Sequence, residues 1–269
     1  MNRYLRSSNS GRMVFVAAAL LFCGIGRSLA VLAQTDAKKI MDGVYAQDTS
    51  RDATLKAVFE IFDKDGKKQE KKITVLRVGS PGDSKTLVRF TDPAAMKGVA
   101  LLSVNKSGEK DRQWIYIPAT KRARSVSPRD RSEKFAGTDF TYEDLTDRIS
   151  DSFDYRVLSE DETIDGHKTY KIEATPREPG DSQYKSIYYW IGQDVPCILF
   201  AELYDSSGKK IRTLHATQVK KASGIWGMRH VEMTSVGDNT RTVLTVNSVA
   251  FNKGLEESLF TPEALEKAN

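Results

Sequence analysis

Beyond Thr49 the apolar residues of this chain fall on every second position. Ala57, Phe59 and Ile61 alternate with Lys56, Val58 and Glu60. Alternation of this kind marks half-buried strands, because successive side chains of an extended backbone point to opposite faces. The run around Asp63 to Gly66 turns the chain, and 72–78 brings it back. Further apolar or alternating runs follow at 86–90, 99–104, 113–117, 155–158, 168–174, 186–191, 198–204, 211–219, 228–234 and 241–251. Short clusters of Gly, Asp, Ser or Pro separate most of them, as at 205–208 and 237–239. Strands joined this tightly pair with their neighbours in an antiparallel meander.

Helical spacing is confined to the ends. Ile40, Met41 and Val44 lie behind Asp36, a capping residue, and predict a short amphipathic helix. Pro262 after Thr261 suits a helix first turn and predicts a second. About eleven antiparallel strands in one sheet must curl, because a long sheet twists. The apolar face of a curled sheet must be covered by helices or a loop, or left as a cavity for an apolar ligand. The expected architecture is therefore mainly β: a curled antiparallel sheet forming an open half-barrel, with short helices or a loop as lid.

One connection breaks the hairpin rhythm. From Pro118 to Asp151 the chain is far longer than a hairpin loop, with a brief helix signal at 143–147. The strand leading into it carries Trp114 and Tyr116 on one face and Ile115 and Ile117 on the other. Trp114 and Tyr116 are either a cavity wall or ordinary core, as are Tyr188 and Trp190 in a later strand. Phe140 and Tyr142, flanking Thr141, are either aromatics that close over a ligand or an anchor for the loop. Lys121, Arg122, Arg124, Arg129, Arg131 and Lys134 make the connection basic. They are either a solvated surface or a contact for anionic lipid headgroups or an acidic partner.

The first 33 residues read as a leader. Arg3, Arg6 and Arg12 precede an apolar run from Met13 to Gly26, too short to span a bilayer comfortably. Small residues at cleavage spacing end at Ala30 or Ala33. A secretory signal peptide is expected, with one domain over 34–269. Four leader arginines account for most of the net charge of +5, leaving +1, so the alkaline pI does not argue for nucleic acid. Loss of the leader also removes Cys23 and leaves Cys197 alone, so the fold must rest on a hydrophobic core rather than a disulfide. Cys197, at the start of an apolar strand, reads as a buried structural thiol.

Enzyme chemistry finds no foothold. His167, His215 and His230 lie in separate segments without metal-ligand spacing. Ser125, Ser127 and Ser132 lack a glycine-flanked elbow. The acidic turn at Asp63 and Asp65 lacks the later ligands of a calcium loop. No catalytic residue, metal or cofactor is expected.

Several segments together carry a family resemblance: 89–102 (from Arg89 to Leu102), 113–118, 137–145, 204–209 and the closing stretch from Leu244 to Phe260. In that order and spacing they resemble the periplasmic outer-membrane lipoprotein-sorting proteins of the LolA/LolB-like superfamily. The similarity is greatest to a branch found beside lipid-exporting transporters. The resemblance implies an open β-barrel lidded by helices, soluble and monomeric in the periplasm. Its apolar cavity would shield lipid or lipoprotein acyl chains received from an inner-membrane exporter, with transient membrane contact. The alternative is an adaptor whose groove docks a peptide or transporter loop.

Overall fold

The computed structural model describes residues 35–146, 150–178 and 180–267. The expected leader, both cleavage sites and Cys23 lie outside them. Thirteen strands form one antiparallel sheet: β1 (Asp52–Phe62), β2 (Lys68–Ser80), β3 (Asp83–Asp92), β4 (Ala100–Val104), β5 (Arg112–Ile117), β6 (Arg122–Ser125), β7 (Phe153–Ile164), β8 (His167–Pro176), β9 (Ser186–Gly192), β10 (Ile198–Tyr204), β11 (Lys210–Ala222), β12 (Ile225–Ser235) and β13 (Thr240–Phe251). Helix α1 (Ala37–Ala46) precedes the sheet and α2 (Pro262–Lys267) follows it.

The spatial order runs β6-β5-β4-β3-β2-β1-β13-β12-β11-β10-β9-β8-β7. Every adjacent pair but one is consecutive in sequence; the exception joins β1 to β13. Two meanders therefore share a central seam, and β6 and β7 are the two edges. The sheet does not close into a barrel. This order has a topological consequence. The connection from β6 to β7 must travel from one edge of the sheet to the other, so its length is the width it has to cross.

Local chemistry sets the turns. Asp63 Oδ1 accepts from the backbone N–H of Asp65 (3.0 Å) and Lys67 (2.9 Å), with Gly66 at φ +79°. Asp205 Oδ1 does the same for Ser207 and Lys209, and the Ser207 hydroxyl, followed by these backbone donors, holds its carboxyl below the usual range. Both are side-chain-capped hairpin turns. Asp36 caps α1 by accepting from Lys39 N at 3.2 Å.

Alternation then divides the sheet into two faces. On one, Phe59, Ile73, Phe90, Leu101 and Ile115 form a cluster with Phe135 and Phe140 of the long connection. On the other, Leu87, Ala100, Leu102 and Tyr116 form a cluster with Phe260 and Leu265. Helix α1 lies on the first face towards β7, its buried Ala37 and Met41 packing with Ile172, Ile187 and Tyr189. The polar strand β6, which no apolar alternation announces, is held at the edge by pairing with β5, and Glu266 of α2 accepts from Ala123 N at 2.8 Å. Occupying an edge donor in this way blunts an exposed edge.

Candidate functional site

The connection between β6 and β7 is a strap laid across the first face. It carries short 3-10 turns at Pro128–Ser132, Phe135–Gly137 and Glu143–Leu145. Its middle folds back on itself. Lys134 pairs with Thr141, Phe135 N donates to the Phe140 carbonyl at 2.8 Å, and Ala136 and Gly137 take positive φ at the tip. The two phenylalanines that flank this hairpin enter the sheet. Phe140 meets Phe59 at 5.8 Å between ring centroids, and Phe135 meets Phe90 at 5.5 Å. Tyr142 lies edge-on to Phe135 at 5.6 Å.

Polar ties fasten the strap where its aromatics end. Asp139, 1% exposed, accepts from Thr240 (2.5 Å), Ser235 (2.8 Å), Thr242 (2.8 Å) and Lys134 (2.9 Å). Burial opposes ionisation of this carboxyl, and the four donors outweigh it, holding the group below the usual carboxylate range. Lys134 also pairs with Asp238 at 2.8 Å. Further along, Glu143 accepts from Ser182 Oγ and, at 2.9 Å, from Gln183 N. Asp144 accepts from Thr141 and from the Tyr184 hydroxyl at 2.9 Å, which in turn accepts from buried Arg212 at 3.0 Å. Lys71 donates to the Ala136 carbonyl at 2.6 Å, and burial pushes its ammonium pKa down.

Between α1 and the strap the sheet is not filled. A cavity of about 240 Å³ lies there, roofed by Tyr45 on one side and by Phe140, Asp144 and Thr146 on the other. Its floor includes Tyr189, Ala201, Leu214 and Met233. These four form a single cross-strand row through β9, β10, β11 and β12, Ala201 facing Tyr189 and Leu214, and Leu214 facing Met233. In this row Ala201 is the one small side chain, set between Tyr189 and Leu214. An apolar concavity with polar groups only at its rim is the form of a small-molecule site.

A model of a family described as an uncharacterized protein matches residues 82–267, most of the chain. The chain belongs to the DUF1329 family. A DUF1329 family protein from Desulfovibrio piger superposes with a TM-score of 0.81 at 25% identity, over 86% of this chain and 100% of that one. A domain described as that of an outer membrane lipoprotein-sorting protein, from Vibrio parahaemolyticus, gives 0.80 at 26% identity, over 86% and 98%. A LolA superfamily protein from Nitrosomonas europaea gives 0.69 at 18%, over 85% and 99%, and shows the shared fold alone. No curated protein matches the chain.

Against this DUF1329 fold the sequence candidates divide. Phe140 lines the cavity and also anchors the strap. Tyr142 is half-buried against Phe135 and is not among the lining residues. Trp114 and Tyr116, each open to two readings, both lie in the core cluster under α2, while Ile115 between them faces the strap. Tyr188 and Trp190 are likewise outside the cavity lining. Their strand places Tyr189 in the cavity, and Trp190 on the other face, donating to Glu162 at 2.6 Å and capped by Lys171. Tyr188 there donates to Glu173 at 3.0 Å. In both strands the singled-out aromatic pair lies on the face turned away from the strap and α1.

The basic stretch is not one loop. Lys121 sits in the β5–β6 turn, Arg122 and Arg124 on β6, and Arg129 in a 3-10 turn, all exposed. Arg131 and Lys134 are ties instead, Arg131 donating to the Asp111 carbonyl at 2.6 Å and Lys134 joining the Asp139 cluster. Cys197 is buried, and burial pushes its thiol pKa up. Among the described residues no group of His, Cys, Asp or Glu has the arrangement of a metal site. Ser127 and Ser132 serve backbone turns, Ser127 accepting from Asp130 N and Ser132 donating to the Arg129 carbonyl. Sequence reading passed over Tyr45, Ala201, Leu214, Met228 and Met233. The signal available for them was the lone alanine at the centre of the apolar 198–204 run.

Proposed function

We propose that this protein is a periplasmic, non-enzymatic carrier that shelters an acyl chain of a lipid or lipoprotein in the cavity between α1 and the strap. It would receive that cargo from an inner-membrane exporter and pass it towards the outer membrane. The observation that carries the reading is the apolar cavity itself, set in a half-barrel whose relatives include a lipoprotein-sorting domain. Burial of an acyl chain supplies about 0.8 kcal/mol per methylene, so a C16 chain contributes on the order of 10 kcal/mol gross before the costs of association. That is enough to withdraw a chain from water, and the donor or acceptor partner must then offer a better site for release. Among the described residues no helix is long and apolar enough to cross a membrane, which suits a carrier moving between two. The exposed cations Lys121, Arg122, Arg124 and Arg129 would meet anionic headgroups at either end of the journey.

Native mass spectrometry of the protein purified from a lipid-rich extract tests this. A co-purifying mass equal to an acylated species is expected. Cargo-free protein that also fails to bind a fluorescent acyl probe would sink the reading. One observation favours the adaptor alternative: the strap already lies on the sheet as an internal peptide would. An adaptor would bind an extended apolar peptide in competition with the strap and leave acyl probes unbound.

A further inference from the structure

We propose that Phe140 sets how much of an acyl chain the cavity accepts, and that a long chain displaces the strap hairpin to continue over the β1–β5 half of the sheet. The proposal rests on the carrier reading above and assigns it a second compartment. At about 240 Å³ the cavity is smaller than the roughly 300–1,000 Å³ of ordinary small-molecule sites, so it holds only part of a long chain. On the strap side it is walled by Phe140, Asp144 and Thr146, of which Phe140 alone is apolar. The other side of that ring rests on Phe59, within a cluster that continues through Phe90, Leu101 and Ile115 on the same sheet face. Take the ring away and the cavity and this cluster become one apolar surface.

The hairpin bearing Phe140 is a distinct unit of the strap with its own set of ties. Lys134 and Thr141 bridge its base, Thr141 donates to Asp144 of the following segment, and the hairpin meets the sheet through its rings, the Asp139 hydrogen bonds and the Lys71 bond to the Ala136 carbonyl. The following segment has its own ties, Glu143 to Gln183 and Asp144 to Tyr184, so it stays docked when the tip moves. An acyl chain replacing Phe135 and Phe140 exchanges one apolar contact for another on the same surface. The exchange therefore costs little apolar burial, and the polar ties of Asp139 and Lys71 are what the extra methylenes of a long chain must outweigh.

Fluorescent acyl probes of C8, C12 and C16 length, titrated into wild type, Phe140→Ala and Phe140→Trp, test the assignment. Phe140→Ala is expected to tighten C16 binding by about tenfold while C8 stays within about twofold, and Phe140→Trp to weaken C16 by a similar factor. Hydrogen exchange on wild type is the companion measurement, and it decides if either variant fails to fold. Saturation with C16 should speed exchange of the amides from Phe135 to Thr141 relative to saturation with C8. Identical length profiles in all three proteins, or hairpin amides as protected with C16 as with C8, would overturn the proposal. If no probe binds wild type at all, the carrier reading falls and takes this inference with it; if probes bind without length dependence, only the inference falls.

Discussion

Two halves of one sheet face have been treated differently. Over β1–β5 the apolar surface is filled by Phe135 and Phe140, which the strap lowers onto Phe90 and Phe59. Over β9–β12 the same face, with the same kind of residue, is left with a cavity beneath Tyr45. Strand chemistry does not separate the halves. What differs is the cover: an aromatic hairpin tip packs its rings on the sheet, while the ten-residue helix α1 contributes only Tyr45 to the wall of the cavity. A core and a binding site are thus one surface, distinguished by whether the chain itself supplies the last layer of side chains.

The largest expected effects come from emptying the filled half. Phe135→Ala removes a fully buried ring and should cost about 3–5 kcal/mol of unfolding free energy. Leu214→Ala, in the floor of the other half, should cost clearly less, because the side chain already borders a void. Chemical denaturation of the two variants makes the comparison, and equal costs would mean the cavity is closed in solution.

Asp139→Asn breaks the tie that holds the plug over its half. The wild-type carboxyl sits below its unfolded value, so its contribution to stability is complete above the unfolded pKa of about 4. That contribution is lost as pH falls through the lower folded value. Midpoints of denaturation measured down a pH series should therefore fall more steeply below about pH 4 for wild type than for Asp139→Asn. Parallel curves would show that the cluster around Asp139 does not couple to folding.

Filling the empty half should do the reverse of emptying the other. Ala201→Leu pushes three heavy atoms into the cavity and should change stability by no more than about 1 kcal/mol, since there is room for them. Affinity for an acyl probe should nevertheless fall at least about tenfold, as the floor is raised into the cargo's place. A large loss of stability instead would show that the space is not available.

The smallest effect concerns neither half but its approach. Changing Lys121, Arg122, Arg124 and Arg129 together to Glu should slow lipid transfer to anionic vesicles severalfold at low salt. Probe affinity should not change, because exposed charges chiefly steer encounter. Near physiological ionic strength, where the Debye length is about 8 Å, the difference should shrink. Equal rates at low salt would make the four cations a solvated surface.

The sequence alone determined every strand but the polar β6, the turns between most of them and the two terminal helices, because period-two alternation, Asp and Gly at turns, and a capping Asp36 each act over a few residues. It also marked the 118–151 connection as the exceptional segment and Phe140 as a residue within it. It could not decide which face of β5 meets the strap or which face of β9 meets the cavity. Trp114 and Tyr116 alternate with Ile115, and Tyr188 and Trp190 with Tyr189, so both faces of each strand are apolar or aromatic and the alternation carries no sign. Only the tertiary structure supplied that sign, by laying α2 on one face and the strap and α1 on the other. It was equally the pairing of β1 with β13 that made β6 and β7 the edges and so sent the strap across the face. The Asp139 cluster shows the same limit: it joins residues about a hundred positions apart, which no local pattern connects. Face, cover and cavity follow from contacts between distant segments, and these are set when the sheet assembles.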